Sequence, residues 1–193
     1  MKHALKILLL ILTLISCENQ SKSELNKIDS ELKADNVELN FQAYIKTLDK
    51  IKLPIKYSLS ESIFSKKFSK IGFEKYKHVW TSKPYGILYE NDNNVVLADL
   101  SMGDGGLVPF ITSFDLNGNK IDSLGPYKKS GMDIGYEARE FLTFNNNRKI
   151  TVIDSIRKWK LNNDGTDIME NSLKITSDTI IYRIKENGKI ITE

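Results

Sequence analysis

Two aspartates stand in glycine-rich stretches: Asp104 in Gly103-Asp104-Gly105-Gly106, and Asp133 in Gly131-Met132-Asp133-Ile134-Gly135-Tyr136. Glycine lets backbone approach a ligand closely, and carboxylates in such connections could bind a ligand, coordinate calcium or serve a carboxylate-dependent hydrolase. A binding site would then be built from Asp104, Asp133 and Tyr136. The competing reading is that the glycines supply positive-φ turns and the aspartates cap them.

Other chemistry has less to draw on. The chain holds two histidines, His3 and His78, and one cysteine, Cys17. A Cys-His dyad or a multi-ligand zinc site needs more than that. His78, beside Val79-Trp80, reads as a strand-edge residue. Ser155-Ile156-Arg157-Lys158 matches the S-x-x-K pattern. On a strand, however, Ser155 and Lys158 would point to opposite faces. Asp115, Asn117 and Asn119 superficially resemble an EF-hand loop, but the glycine falls too early and no glutamate closes it, so a hairpin turn is expected. No catalytic residue, metal or cofactor is assigned, and a non-enzymatic role is favoured.

The elements that would position these residues follow from glycine usage. All eleven glycines lie at or after Gly72, which predicts helix first and sheet second. Leu25, Ile28 and Leu32 have helical spacing, as do Phe41, Tyr44, Ile45, Leu48 and Ile51, with Asn40 as N-cap and Pro54 as terminator. A third helix is expected over Ser62 to Lys70. From Trp80 onward, β-branched and aromatic runs alternate with Asn/Asp/Gly clusters, the grammar of hairpins. Expected strands are Tyr85–Glu90, Val95–Ser101, Leu107–Asp115, Lys120–Leu124, Glu137–Phe144, Lys149–Leu161, Thr179–Lys185 and Lys189–Thr192. Asn117-Gly118 favours a type I′ turn, and Asn187-Gly188 joins the last two strands. The fold class is therefore mainly β, an antiparallel meander of roughly eight to ten strands with one or two N-terminal helices. A curved sheet, partial barrel or sandwich would satisfy it. Phe114–Ile121 and Tyr182–Ile190 look alike and resemble the blade hairpins of β-propellers, yet the strand-rich region is too short for four blades.

The first 16 residues, MKHALKILLLILTLIS, join Lys2 and Lys6 to a short apolar run that stops before CENQSKSE. A spanning helix needs roughly 20 apolar residues, so this is expected to be an export leader. Its end, Leu14-Ile15-Ser16-Cys17, resembles the lipobox of bacterial lipoproteins. The resemblance implies removal of residues 1–16 and lipidation of Cys17. Residues 17–40 would then be an acylated polar tether or loose helix, and residues 41–193 one helix-plus-β domain. Leader and composition together resemble small lipoproteins of Bacteroidota. That implies a membrane partner through the lipid and an outer-membrane location facing the periplasm.

The total charge of +3 is too small to indicate nucleic-acid binding, and export would separate the chain from nucleic acid. Without Lys2 and Lys6 there are 26 basic against 25 acidic side chains. That near-neutrality is uneven: Lys46 to Lys77 holds nine lysines against Asp49, Glu61 and Glu74. Aromatics interleave with them. An anionic envelope polymer, lipid headgroup or protein partner is one reading of this segment, and a solvated lysine face the other. Ser123, Ser155 and Thr179 each follow an aspartate and precede an aliphatic residue, a pattern resembling the O-glycosylation sequon of exported Bacteroidota proteins. The expectation is a membrane-anchored envelope lipoprotein acting as a binding module, with an Asp104/Asp133 hydrolase or a membrane-surface spacer as alternatives.

Overall fold

The structure, a computed structural model, describes residues 40–57, 67–103 and 106–193. Cys17, Asp104 and the expected Leu25–Leu32 helix lie outside the described residues.

Among the described residues there are two helices, α1 (Phe41–Ile45) and α2 (Lys70–Tyr76). The strands are β1 (Ile55–Tyr57), β2 (Lys83–Glu90), β3 (Asn94–Gly103), β4 (Gly106–Asp115), β5 (Lys120–Leu124), β6 (Gly131–Asp133), β7 (Tyr136–Phe144), β8 (Lys149–Lys158), β9 (Lys174–Thr176), β10 (Thr179–Ile184) and β11 (Ile190–Thr192). The first sheet has the order β2-β3-β4-β5; the second runs β1-β7-β8-β10-β11, with β6 against β7 and β9 against β8. Each of these strand pairings is antiparallel. The mainly β, antiparallel expectation therefore holds, in its sandwich form.

Three layers result. Tyr85, Leu88, Val96, Leu100 and Ile111 of the first sheet pack against Leu142, Phe144, Ile150, Val152 and Ile184 of the second. On the opposite face of the first sheet, Ile87, Val95, Leu97 and Phe114 pack against Phe41, Tyr44, Phe73 and Tyr76 of the helices. The first sheet is thus covered twice, which is why β3 is buried continuously from Asn94 to Leu100. The outer face of the second sheet is solvated, and β7 accordingly alternates, burying Ala138, Glu140 and Leu142 and exposing Arg139 and Phe141. Bulges in β2 let adjacent Leu88 and Tyr89 both enter the inter-sheet core.

Asn40 caps α1 as expected, accepting the Ala43 N–H at 2.8 Å. The helix ends earlier than Ile51 because Asp49 and Ile51 exchange backbone hydrogen bonds with Ile87 of β2, at 2.9 Å each, which extends the chain there. Ser62–Lys70 requires a second correction. Of its described part, Lys67–Lys70, the first three residues are not helical, and a helix, α2, begins only at Lys70, where the Ser69 hydroxyl accepts the Gly72 N–H at 3.1 Å. A serine that caps a helix cannot also lie inside one. The two helices touch at Gly72, where a Cβ would sit 2.4 Å from the Tyr44 ring.

Neither Asn-Gly hairpin is type I′. That turn needs positive φ at both central residues. Here Gly118 (φ +87°) and Gly188 (φ +82°) take it, but Asn117 and Asn187 do not. Asp115 N–H bonds Asn119 O and Lys185 N–H bonds Lys189 O, so each loop is longer by one residue and places glycine at the bulge. Asp115 Oδ1 also accepts the N–H groups of Asn117 and Asn119 at 2.9 Å, a turn and not an EF-hand. These look-alike hairpins meet in space: Ser113 Oγ donates to Gly188 O at 2.6 Å, and Ile190 N–H to Asp122 Oδ2 at 3.0 Å. They seam one sheet to the other.

A lysine-lined cleft as candidate functional site

A cavity of about 340 Å³ lies between the end of α2 and strands β4 and β5. Lys75, Lys77 and Lys120 line it with Tyr76, His78, Val79, Thr112, Phe114 and Gly118. Its volume is at the small end of ligand clefts and suits a compact charged group.

Local structure explains each wall. Lys75 sits in the last turn of α2, where a cation complements the helix carbonyls, and its ammonium lies 5.3 Å from the Tyr76 ring centre. Lys77 leaves the helix in extended conformation, pairs with Glu74 at 2.8 Å and lies 5.7 Å from the Phe73 ring centre. The chain then turns at His78–Thr81, closed by Thr81 N–H to His78 O at 3.0 Å. Beneath this turn Asp99, 3% exposed, accepts the His78 N–H at 3.0 Å and approaches the Thr81 hydroxyl at 3.3 Å. Burial raises the Asp99 carboxyl to about 7, against the smaller opposing effects of these hydrogen bonds and of Lys77. The Thr81 hydroxyl has one proton and already sits 2.7 Å from His78 O. A protonated Asp99 can donate to that same hydroxyl.

His78 is not at a strand edge. Its ring stacks on Phe110 with centroids 4.4 Å apart, and its Nδ1 is buried with no hydrogen-bond partner among the described residues. Burial first, and Lys120 second, push its pKa below the usual histidine value, so the ring is neutral at neutral pH. Thr112, 3% exposed, also has a buried hydroxyl without a partner among the described residues. A buried hydroxyl left unpaired costs free energy. Gly118 closes the floor: its φ of +87° and a would-be Cβ 2.6 Å from Phe41 Cβ both demand glycine there.

Three lysines thus line the cleft, Lys77 already paired with Glu74, and the wall carries a buried threonine hydroxyl and a histidine ring. Such a set can hold an anion by charge and hydrogen bonding; it contains no nucleophile aligned with a base. At its rim, Val79 and Trp80 are 77% and 74% exposed.

Among the described residues, Asp133, Tyr136, Ser123, Ser155 and Thr179 lie elsewhere. Gly103 and Gly106 pair at the tip of the β3–β4 hairpin. Asp133 faces Tyr136 in the β6–β7 pair and accepts the Ile134 N–H at 2.7 Å, a local cap. Tyr136 donates its hydroxyl to Lys129 O at 2.7 Å and so braces the 125–130 loop. That loop is clasped by buried Glu140, which accepts the N–H groups of Lys128, Lys129 and Ser130 at 2.7–3.0 Å, and by an ion pair from Lys129 to Asp154. The Glu140 and Asp154 carboxylates are thereby paired, while the Tyr127 hydroxyl of the same loop is buried without a partner among the described residues. Ser155 lies on the solvated face of the second sheet, where Glu137, Arg139, Phe141 and Arg157 join it around a 190 Å³ groove. Glu137 pairs with both arginines there. Ser123 is half-buried on edge strand β5, and Thr179 is exposed at the start of β10.

Sequence reasoning marked Lys75, Tyr76 and Lys77 as part of a basic aromatic segment but missed Thr112 and Lys120. Nothing near either in sequence signals a ligand; only the β4–β5 pairing brings them beside α2.

No protein-family model, no curated protein and no solved structure matches the chain.

Proposed function

We propose that this chain is a lipid-anchored envelope protein, non-catalytic, that binds an anionic group in the lysine-lined cleft. The anchor rests on the lipobox-like Leu14-Ile15-Ser16-Cys17, and the outer-membrane, periplasm-facing location on the same leader and its Bacteroidota-like composition. One observation carries the binding reading: Thr112, whose buried hydroxyl has no partner among the described residues, is among the residues that line a cavity with Lys75, Lys77 and Lys120. An anion accepting from that hydroxyl would offset the unmade hydrogen bond, and the lysines around it, Lys77 with Glu74 beside it, would add charge attraction.

Two measurements test it. Inorganic phosphate, titrated into the protein, should shift the His78 ring proton resonances and leave those of the Asp133–Tyr136 turn in place. Unmoved His78 signals at millimolar phosphate would sink the cleft reading. Separately, acyl labelling of the full chain should disappear in Cys17→Ser; label that persists refutes the anchor.

A further inference from the structure

Three features meet on one side of the molecule. The cleft is cationic; its rim carries Val79 and Trp80, two large apolar side chains left about three-quarters exposed; and the described chain begins at Asn40–Phe41, with Phe41 packed directly on Gly118 of the cleft floor. Phe41 and Tyr44 also pack on Tyr76, at ring distances of 5.0 and 5.5 Å. The chain therefore enters the fold beside the cleft. Cys17 stands 24 positions before Phe41, which bounds their separation to about 80 Å even fully extended.

Resting on the anchored, anion-binding reading above, we infer that this side docks on the bilayer, with an anionic phospholipid headgroup as the cleft's occupant and the Val79–Trp80 turn entering the interface. Tryptophan favours that depth because its ring is apolar while its N–H stays in reach of headgroups and water. Lysines do the same with long stems under a charged tip. Each lysine near an anionic surface adds attraction, so three act together with the tryptophan. The backbone of the turn is pinned at two points: Asp99 fixes it from below, and the Ser101 hydroxyl bonds Trp80 O. Trp80 is thus presented by a rigid backbone while its side chain stays outside the core. A soluble acidic polymer would use the same lysines but has no use for an exposed Val79–Trp80 pair.

The full chain reconstituted in vesicles tests this, because its N-terminus holds it at the bilayer in every arm. In a Trp159→Phe background Trp80 is the only tryptophan. Its emission should shift to the blue, and brominated acyl chains should quench it, in phosphatidylcholine vesicles containing phosphatidylglycerol. Pure phosphatidylcholine should give neither, and raised salt should reverse both. The triple change Lys75→Gln, Lys77→Gln, Lys120→Gln should abolish the shift, weakening docking roughly a hundredfold. Equal Trp80 emission in the two vesicle types, or docking that survives the triple change, overturns the inference. Phosphate titration of the same protein separates the two readings. His78 resonances that respond while Trp80 stays in water leave the cleft standing as a site for a soluble anion and remove the membrane; no response in either removes both.

Discussion

The carboxyl of Asp99, closed off from water, accepts the backbone N–H of His78 at 3.0 Å and so fixes the turn that puts the imidazole on the cleft wall. Burial raises this carboxyl from 3.8 to about 7. The folded state therefore holds a proton that the unfolded chain has released between those values. This contribution to stability is fully present below pH ~4 and is lost as pH rises through ~7. Asp99→Asn can keep an acceptor for the His78 N–H and carries no group that titrates in this range. Unfolding by urea should show the variant gaining on the parent as pH rises from 4 to 8, by no more than about 4 kcal/mol. A pH-independent difference would refute the assignment.

Thr112→Val separates stability from binding. It removes a buried hydroxyl that has no partner among the described residues, so the fold should keep its stability or gain up to about 1 kcal/mol. Affinity for phosphate should nevertheless fall roughly tenfold. Thermal melts and a phosphate titration on one sample suffice; unchanged affinity means that the hydroxyl does not touch the ligand.

Gly72→Ala sets helix propensity against packing. Alanine inside an exposed helix would gain about 1 kcal/mol. At this position its Cβ would lie 2.4 Å from the fully buried Tyr44 ring, and overpacking costs about 1–3 kcal/mol. The second effect wins because Tyr44 is hemmed in by Tyr76. A lowered melting temperature is expected; a raised one would show that the helices slide apart freely.

Arg148→Ala tests the seam between the sheets. Arg148 takes φ +59° in the β7–β8 turn and donates from Nη2 to Asn94 Oδ1 at 2.7 Å and from Nε to Ile184 O at 3.2 Å. Asn94 is fully buried, so truncation strands its oxygen, a loss of about 1–3 kcal/mol. Arg148→Lys should restore little, lacking the two-pronged geometry. Equal stability of all three proteins in denaturant would dismiss the seam.

Local chemistry accounts for what could be read without coordinates. Asn40 signals an N-cap within three residues of its partner, and Asn-Gly loops announce hairpins because positive φ is a property of one residue. Short β1, β6 and β9, three residues each, left no period to detect and form only against β7 or β8. The described end of the expected Ser62–Lys70 helix differs for a related reason. Its apolar spacing continues through Ile71 and Phe73, and the side chain of Ser69 decided where the turn could start.

The amino-acid sequence alone determined the strand-and-turn grammar, the antiparallel sheets it requires and the basic character of the segment around Lys75, since each depends on neighbours along the chain. Tertiary structure alone decided that Thr112 and Lys120 stand beside His78, that the first sheet is covered on both faces, and that Trp80 is left outside. Those outcomes depend on which faces must be buried together, and burial is a competition among all the elements at once.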